Sequence, residues 1–301
     1  LAVLFCIFAM LASFGIGSMG QVNKIVANVA AAFDVSSLSS IEVFGGVSLY
    51  NLIIGAVIML LTAIITLGGV KRIANVAEKI VPFMVVLFVL GSFVIIGVNY
   101  ANIIPAFKAI FDSAFKSNAV WGGAGGYVLA QVIQAGFKRG VFSNEAGLGS
   151  SVMVHSNSNV KEPVKQGIWG IFEVFADTMV VCTMTALVVL TSGVIDLKTG
   201  ALAAGTSGDA TLVAKAFDTV FGFGINFGSK FIAIAILLFA FTTVLGWSHY
   251  GTKAFEYLFG TKATIYYKIF FVLMIMSGAV MTSSLAWDIS DTFNGLMMIP
   301  N

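Results

Sequence analysis

Residues 121–155 read WGGAGGYVLAQVIQAGFKRGVFSNEAGLGSSVMVH, from Trp121 to His155. Both ends of this run are apolar or small, and Lys138, Arg139, Asn144 and Glu145 fall about midway. Gly140, Gly147 and Gly149 weaken helix propensity at the same level. Charged groups at membrane depth are costly and face a protein interior or an aqueous cavity. Non-helical backbone is tolerated there only where it is buried in protein or lines such a cavity. One reading is therefore an unwound segment around residues 139–145 whose free N–H and C=O groups bind a small polar solute. Helix ends at that depth offer partial charges to a carboxylate and a cation. The other reading is two elements joined by an ordinary loop, with Lys138 and Arg139 at the surface, because the preceding apolar half is long enough to span alone. The physics of this stretch leaves both open.

The surrounding composition fixes the solvent. The chain has 301 residues, 58% hydrophobic and only 10% charged, and its mean hydropathy is +0.99. A soluble domain carries roughly 25% charged residues. A soluble enzyme, a disordered chain and a nucleic-acid binder are thereby excluded, and the net charge of +2 gives no polyanion partner. An all-α polytopic membrane protein remains, with lipid as the solvent for most of its surface. The two cysteines, Cys6 and Cys182, lie in apolar stretches and form no disulfide framework or metal motif. The chain starts at Leu1-Ala2-Val3 and stops in the apolar run Met297–Asn301, so it reads as an internal fragment of a longer protein.

Sixteen basic and fourteen acidic residues punctuate the charge-free runs. A span needs about 20 residues of helix. The first runs from Leu1 through Asn23 and on to about Ala32, and a loop follows over 33–42. The second lies in Val43–Val70; Lys71, Arg72, Glu78 and Lys79 then mark a short basic amphipathic segment. The third begins at Ile80 and ends near Tyr100. Ile103–Phe115 has helical spacing but is too short and polar to span, and is expected to lie flat on one surface. The fourth is Ala119–Phe137, interrupted at Lys138 and resuming to His155; the fifth is Gly167–Val194. A loop over 195–229 carries a helical piece near Thr211–Phe221. Phe231–Leu258 and Ile265–Val280 are the sixth and seventh spans, and an eighth begins at Asp291. With the first span running outward, inside segments hold Lys71, Arg72, Lys79, Lys161, Lys165, Lys253, Lys262 and Lys268. Outside segments hold Lys108, Lys116, Lys198, Lys215 and Lys230, so the basic bias favours this orientation.

Arg139-Gly140-Val141-Phe142-Ser143-Asn144-Glu145-Ala146-Gly147-Leu148-Gly149-Ser150 resembles the RG-x-FSNEAGLGS signature of the sodium:alanine (alanine/glycine:cation) symporter family. The resemblance extends over His155, Pro163–Gly167, Asp177-Thr178 and Val181–Leu187. It takes in Gly246-Trp247-Ser248, Glu256–Gly260, Gly69–Ala74 and Phe14–Met19, and so covers nearly the whole chain. Ser18 departs from the pattern, where Asn is commoner in the family.

The resemblance implies a sodium-coupled carrier of small neutral amino acids, alanine or glycine, in a bacterial or archaeal cell membrane, with proton coupling as the alternative. It implies a leucine-transporter-like fold of two inverted five-helix repeats, truncated at both ends. Residues 1–301 would be one transmembrane transporter domain, from about helix three to the start of helix ten, with the Arg139 region as the broken sixth helix and Phe231–Leu258 as the eighth. The family's first two helices and all that follows residue 301 would lie outside this chain, which alone should not transport. No cofactor is implied; sodium is the coupling ion.

Gly140, Val141, Phe142, Ser143 and Asn144 are expected to line the break, with Val141 and Phe142 facing the amino acid's side chain, or with Phe142 as lipid-facing filler. Thr242 and Thr243 offer hydroxyl oxygens of the kind a hard cation takes, as part of a sodium site; the bland alternative is that each bonds back to its own helix. Thr243 and Trp247, four apart, share one helix face, and Trp247 beside Phe142 would cap a small pocket, or else serve in packing or as an interface anchor. Gln21 is a candidate substrate contact or a helix–helix hydrogen bond. Arg139, Glu145, Glu173 and Asp177 would form an internal ion-pair network, structural or gating, because unpaired charges are expensive there. His155 and His249 read as interfacial histidines, and the glycines at 122–126 as helix packing. An intramembrane enzyme would need a metal cluster or catalytic dyad at one depth, and no HExxH occurs.

Overall fold

The computed structural model describes residues 1–115, 123–145, 147–203 and 210–301. The expected fourth span thus begins, at 119–122, outside the described residues, as do Lys116 and Ala146. The chain divides into two compact units, one of residues 1–86, 147–158 and 233–301, the other of 87–146 and 159–232. Among the described residues, six helices are long and apolar enough to cross a membrane: α1 (Ala2–Ala32), α2 (Leu49–Thr66), α3 (Val70–Val98), α6 (Pro163–Thr191), α8 (Phe227–Phe259), and Thr261–Val280, whose α-helical part, α9, is Thr264–Val280. Between them lie α4 (Ile103–Phe115), α5 (Gly123–Asn144) and α7 (Ala210–Phe221), and α10 (Ser283–Met298) follows.

Three boundaries differ from expectation. The basic segment after residue 70 is not separate: Lys71 to Lys79 form the first turns of α3, where Ile73 and Val76 continue the helical period and pack on the first unit's core. The expected fourth span is not among the six, because α5 carries Lys138, Arg139, Gln131, Gln134 and five glycines. Helix α10 begins at Ser283, eight residues before the charge expected to open it.

In the first unit α1 is the element the others pack on. Lipid tails give helices no hydrophobic reason to associate, so close backbone approach at small residues holds them. A Cβ at Gly17 would lie 2.3 Å from Trp247 Cβ on α8, one at Gly278 of α9 would lie 2.6 Å from Met19 Cα, and one at Gly15 3.1 Å from Ser290 Cα on α10. Helix α9 packs on α2 in the same way, Gly55 admitting Ala279. Phe14, Val22, Ile25, Val244, Leu245, Phe271 and Ile275 fill the space between. Buried polar groups clip the helices together. Asn23 donates to Gly278 O (3.3 Å) and Met281 O (2.7 Å), and Tyr50 to Val26 O (2.8 Å). A two-residue hairpin turn, Gly45 (φ 58°) and Gly46 (φ 82°), joins β1 (Glu42–Phe44) to β2 (Val47–Ser48); the primed turns of tight hairpins demand positive φ.

In the second unit, Phe217 of the amphipathic α7 is wholly buried and stacks between Phe88 and Phe231, at 5.8 and 5.5 Å. The carboxylate of Asp218 accepts hydrogen bonds from Ser229 N (2.8 Å) and the Ser229 hydroxyl, which locks α7 to the first turn of α8. Asn102 donates to Thr191 O (2.8 Å), joining the segment before α4 to the end of α6.

Candidate substrate and ion site

Helix α5 does not unwind at Arg139. It continues to Asn144, and the described residues that follow, 145 and 147–151, are not helical. Residues 140–144 are therefore the last helical turn before the break, its edge and not its unwound part. The cause lies in the signature itself. Val141, Phe142 and Ser143 impose no break, whereas the backbone turns left-handed at Glu145 (φ 50°), Gly147 (φ 75°) and Gly149 (φ 74°), a conformation that costs other residues steric energy. The signature also crosses the boundary between the units: Glu145 belongs to the second, and Gly147 onward to the first.

On the second unit's side, the end of α5 is fastened to α6. Ser143 Oγ donates to Asp177 Oδ2 at 2.5 Å, and Thr178 Oγ1 donates to Asn144 Oδ1 at 2.9 Å. Asn144 Nδ2 turns back to Gly140 O at 3.1 Å. Asp177 and Thr178 lie in a π-helical stretch, Phe175–Cys182, so the residues expected to bind substrate and the one expected to gate form a single cluster. The Arg139 guanidinium lies over the Phe142 ring, 5.5 Å from its centroid, a cation–π contact. Gly140 and Ser143 are exposed, and Val141, Phe142, Asn144 and Glu145 half-buried.

On the first unit's side, Leu148 and Ser150 are fully buried, and Gly147 O accepts from Asn301 Nδ2 at 2.8 Å. A Cβ at Gly149 would lie 2.6 Å from Asn301 Oδ1 and 3.2 Å from the Phe5 ring. Gly149→Ala should therefore cost about 1–2 kcal/mol from the left-handed backbone alone, read as a lower Tm in detergent; an unchanged Tm would show that the loop reorganises freely.

Helix α1 carries a second π-helical stretch, Gly15–Met19, buried throughout. Gln21 Nε2 donates to Ile16 O at 3.2 Å, five residues back; this is a bond within α1, not one between helices. Such bulges recur at functional sites because they free a carbonyl and re-aim side chains. Ser18 Oγ, fully buried beside it, has no hydrogen-bond partner among the described residues. Neither π stretch was legible as such; the run Gly15-x-Gly17-Ser18 in an apolar helix was the available signal. Thr242 Oγ1 and Thr243 Oγ1 both donate to Phe239 O, at 2.9 and 3.0 Å. The bonding back to the helix that a threonine favours thus holds, yet each oxygen keeps lone pairs for a cation. Trp247 is 2% exposed, with its Cβ against Gly17 and its ring edge-on to Tyr250 at 5.2 Å. It belongs to the first unit and Phe142 to the second.

His249 is buried in the first unit, with Nε2 3.3 Å from Asn157 Nδ2. Cys6 and Cys182 are free thiols. Among the described residues, no group of three or more His, Cys, Asp or Glu could hold a metal ion.

Small-residue helix packing and, among the described residues, six helices long and apolar enough to cross a membrane define an all-α multi-pass membrane protein. The sequence pattern of the sodium:alanine symporter family matches residues 1–301, and the chain belongs to that family. It is 41% identical over 301 residues to the sodium/alanine symporter AgcS of Methanococcus maripaludis, covering all of this chain and 61% of that protein. It is 36% identical over 252 residues to a probable sodium/glutamine symporter, GlnT, of Bacillus subtilis (83% of this chain, 50% of that one). It is 34% identical over 259 residues to a sodium/proton-dependent alanine carrier of Bacillus sp. strain PS3 (82% and 57%). The chain thus spans between half and about three-fifths of the length of these relatives.

Proposed function

We propose that the complete protein is a secondary active carrier that couples sodium entry to symport of a small neutral amino acid, alanine or glycine, by alternating access. The observation that carries this reading is the end of α5 at Asn144, followed by left-handed backbone at Glu145, Gly147 and Gly149. Interrupted helices in carriers leave N–H and C=O groups for the solute's charged ends and the coupling ion. The two π stretches and the paired hydroxyls of Thr242 and Thr243 support it. The fold that goes with it is leucine-transporter-like, with α1 as helix three, α5 as the broken sixth, α8 as the eighth and α10 as the start of the tenth, and with α1 running outward.

Within this mechanism, the helix end at residues 140–144 and the freed backbone after it hold the amino acid. Thr242 and Thr243 supply oxygens to sodium, and Gln21 is the polar contact from α1. Trp247 is the bulky wall that favours a methyl or a hydrogen as substrate side chain. Ser143 and Asn144, held by Asp177 and Thr178, fix the edge of the break.

Titration calorimetry on the purified complete protein tests the shared cavity. Sodium should tighten alanine binding, and alanine should tighten sodium binding by the same factor. Thr243→Val should weaken the sodium dependence by about tenfold, the loss of one oxygen ligand at roughly 1.4 kcal/mol. Alanine affinity indifferent to sodium in wild type would remove the coupling. The name of the PS3 relative keeps a second reading, proton coupling; the Asp177 carboxylate at the edge of the break is its structural candidate.

A further inference from the structure

One cavity of the first unit has no part in that mechanism. It has a volume of about 170 Å³, and its walls carry Lys253, Lys268, His249, Thr252 and Thr264. Val70, the first residue of α3, and Thr264, the first of α9, also line it. Two long helices therefore begin at this cavity and turn the positive ends of their dipoles toward it, while the Arg72 and Ile73 N–H groups bond Gly69 O and the Thr264 N–H bonds Thr261 O. The acid in the wall is Glu256, held by Lys253 at 2.9 Å, so two lysines face one carboxylate.

The cavity's position narrows the ligand. Glu256 and Thr261 flank the end of α8, and His249 sits two turns deeper, about 10 Å along the axis. Beside that end, Tyr257 and Tyr266 are 63% and 71% exposed, as aromatic residues are where a membrane meets water. Basic pockets between membrane helices at this level take anionic headgroups.

We propose that this cavity is a binding site for a phosphate-class oxyanion, presented as the headgroup of an anionic phospholipid in the adjoining leaflet. Lys268 and Lys253 supply the charge and the ammonium donors, and His249 closes the inner end; the Thr252 and Thr264 hydroxyls, which donate to Ser248 O and Thr261 O, complete the polar wall. Its place among Lys253, Lys262 and Lys268 puts it on the face that the basic bias assigns to the cytoplasm.

The test is native mass spectrometry on the complete protein, stripped of lipid in detergent and titrated separately with phosphatidylglycerol, phosphatidylcholine and inorganic phosphate. Wild type should retain phosphatidylglycerol in preference to phosphatidylcholine. Lys268→Gln should weaken that retention about fivefold, the contribution of one basic residue near an anionic headgroup, and Lys268→Arg should keep it. Retention of inorganic phosphate that Lys268→Gln abolishes, without a phosphatidylglycerol preference, would support the oxyanion site with a soluble source. Equal retention of all three probes by wild type and by a Lys268→Gln protein that elutes as wild type would overturn the proposal.

Discussion

Trp247→Ala should lower the stability of the protein by about 3–5 kcal/mol, the range for truncating a large buried aromatic. Trp247 is 2% exposed, and its Cβ and Cγ pack against the backbone at Gly17. The space it leaves is walled by α1 and α8, which Val22, Val244 and Leu245 hold in place, all fully buried. The walls therefore relax little, and the void persists. The measurement is the apparent Tm of the purified protein in detergent, which should fall by many degrees. If Trp247 is the selectivity wall proposed above, the variant that survives folding should also accept amino acids with larger side chains. A small Tm change with unaltered selectivity would remove Trp247 from both the packing and the site.

Gly17→Ala should be nearly as damaging, for the opposite reason. The added Cβ would lie 2.3 Å from Trp247 Cβ and 2.7 Å from Cγ; the Cβ position is fixed by the backbone of α8, so no rotamer change relieves the closer clash. Overpacking of this kind costs about 1–3 kcal/mol and can exceed it. Separating α1 from α8 would also strain the Gly278–Met19 and Gly15–Ser290 contacts, because α1 is wedged between three partners. The double variant supplies the internal check. Trp247→Phe cannot rescue Gly17→Ala, since phenylalanine keeps Cβ and Cγ, but Trp247→Gly should recover part of the loss. Contacting residues show such non-additive coupling. Strict additivity of Gly17→Ala with Trp247→Gly would mean that the two residues do not meet.

Much of this architecture was legible in the chain because lipid imposes a simple rule. Charge-free runs of the right length become helices, and α1, α2, α6, α8 and α9 fall where those runs lie. Helix ends were less legible. Lys71 and Lys79 read as a separate segment, yet a helix carries charge in its outer turns at little cost once they reach water, and α3 does so. The signature announced a break but not its place. Its arginine and glycine drew attention to 139–140, whereas the left-handed positions Glu145, Gly147 and Gly149 set the unwinding. The pairing of Ser143 with Asp177 and of Asn144 with Thr178 joins residues 34 apart, and spacing carries no trace of it. The π stretches escaped for a related reason, since one extra residue per turn leaves an apolar run looking apolar.

Sodium coupling is the central claim, and flux tests it most directly. The complete protein in sealed proteoliposomes should accumulate labelled alanine above the outside concentration when an inward sodium gradient is imposed. Accumulation should vanish when potassium replaces sodium at the same membrane potential and pH gradient. Alanine accumulation that persists without sodium and follows an inward proton gradient would contradict the account.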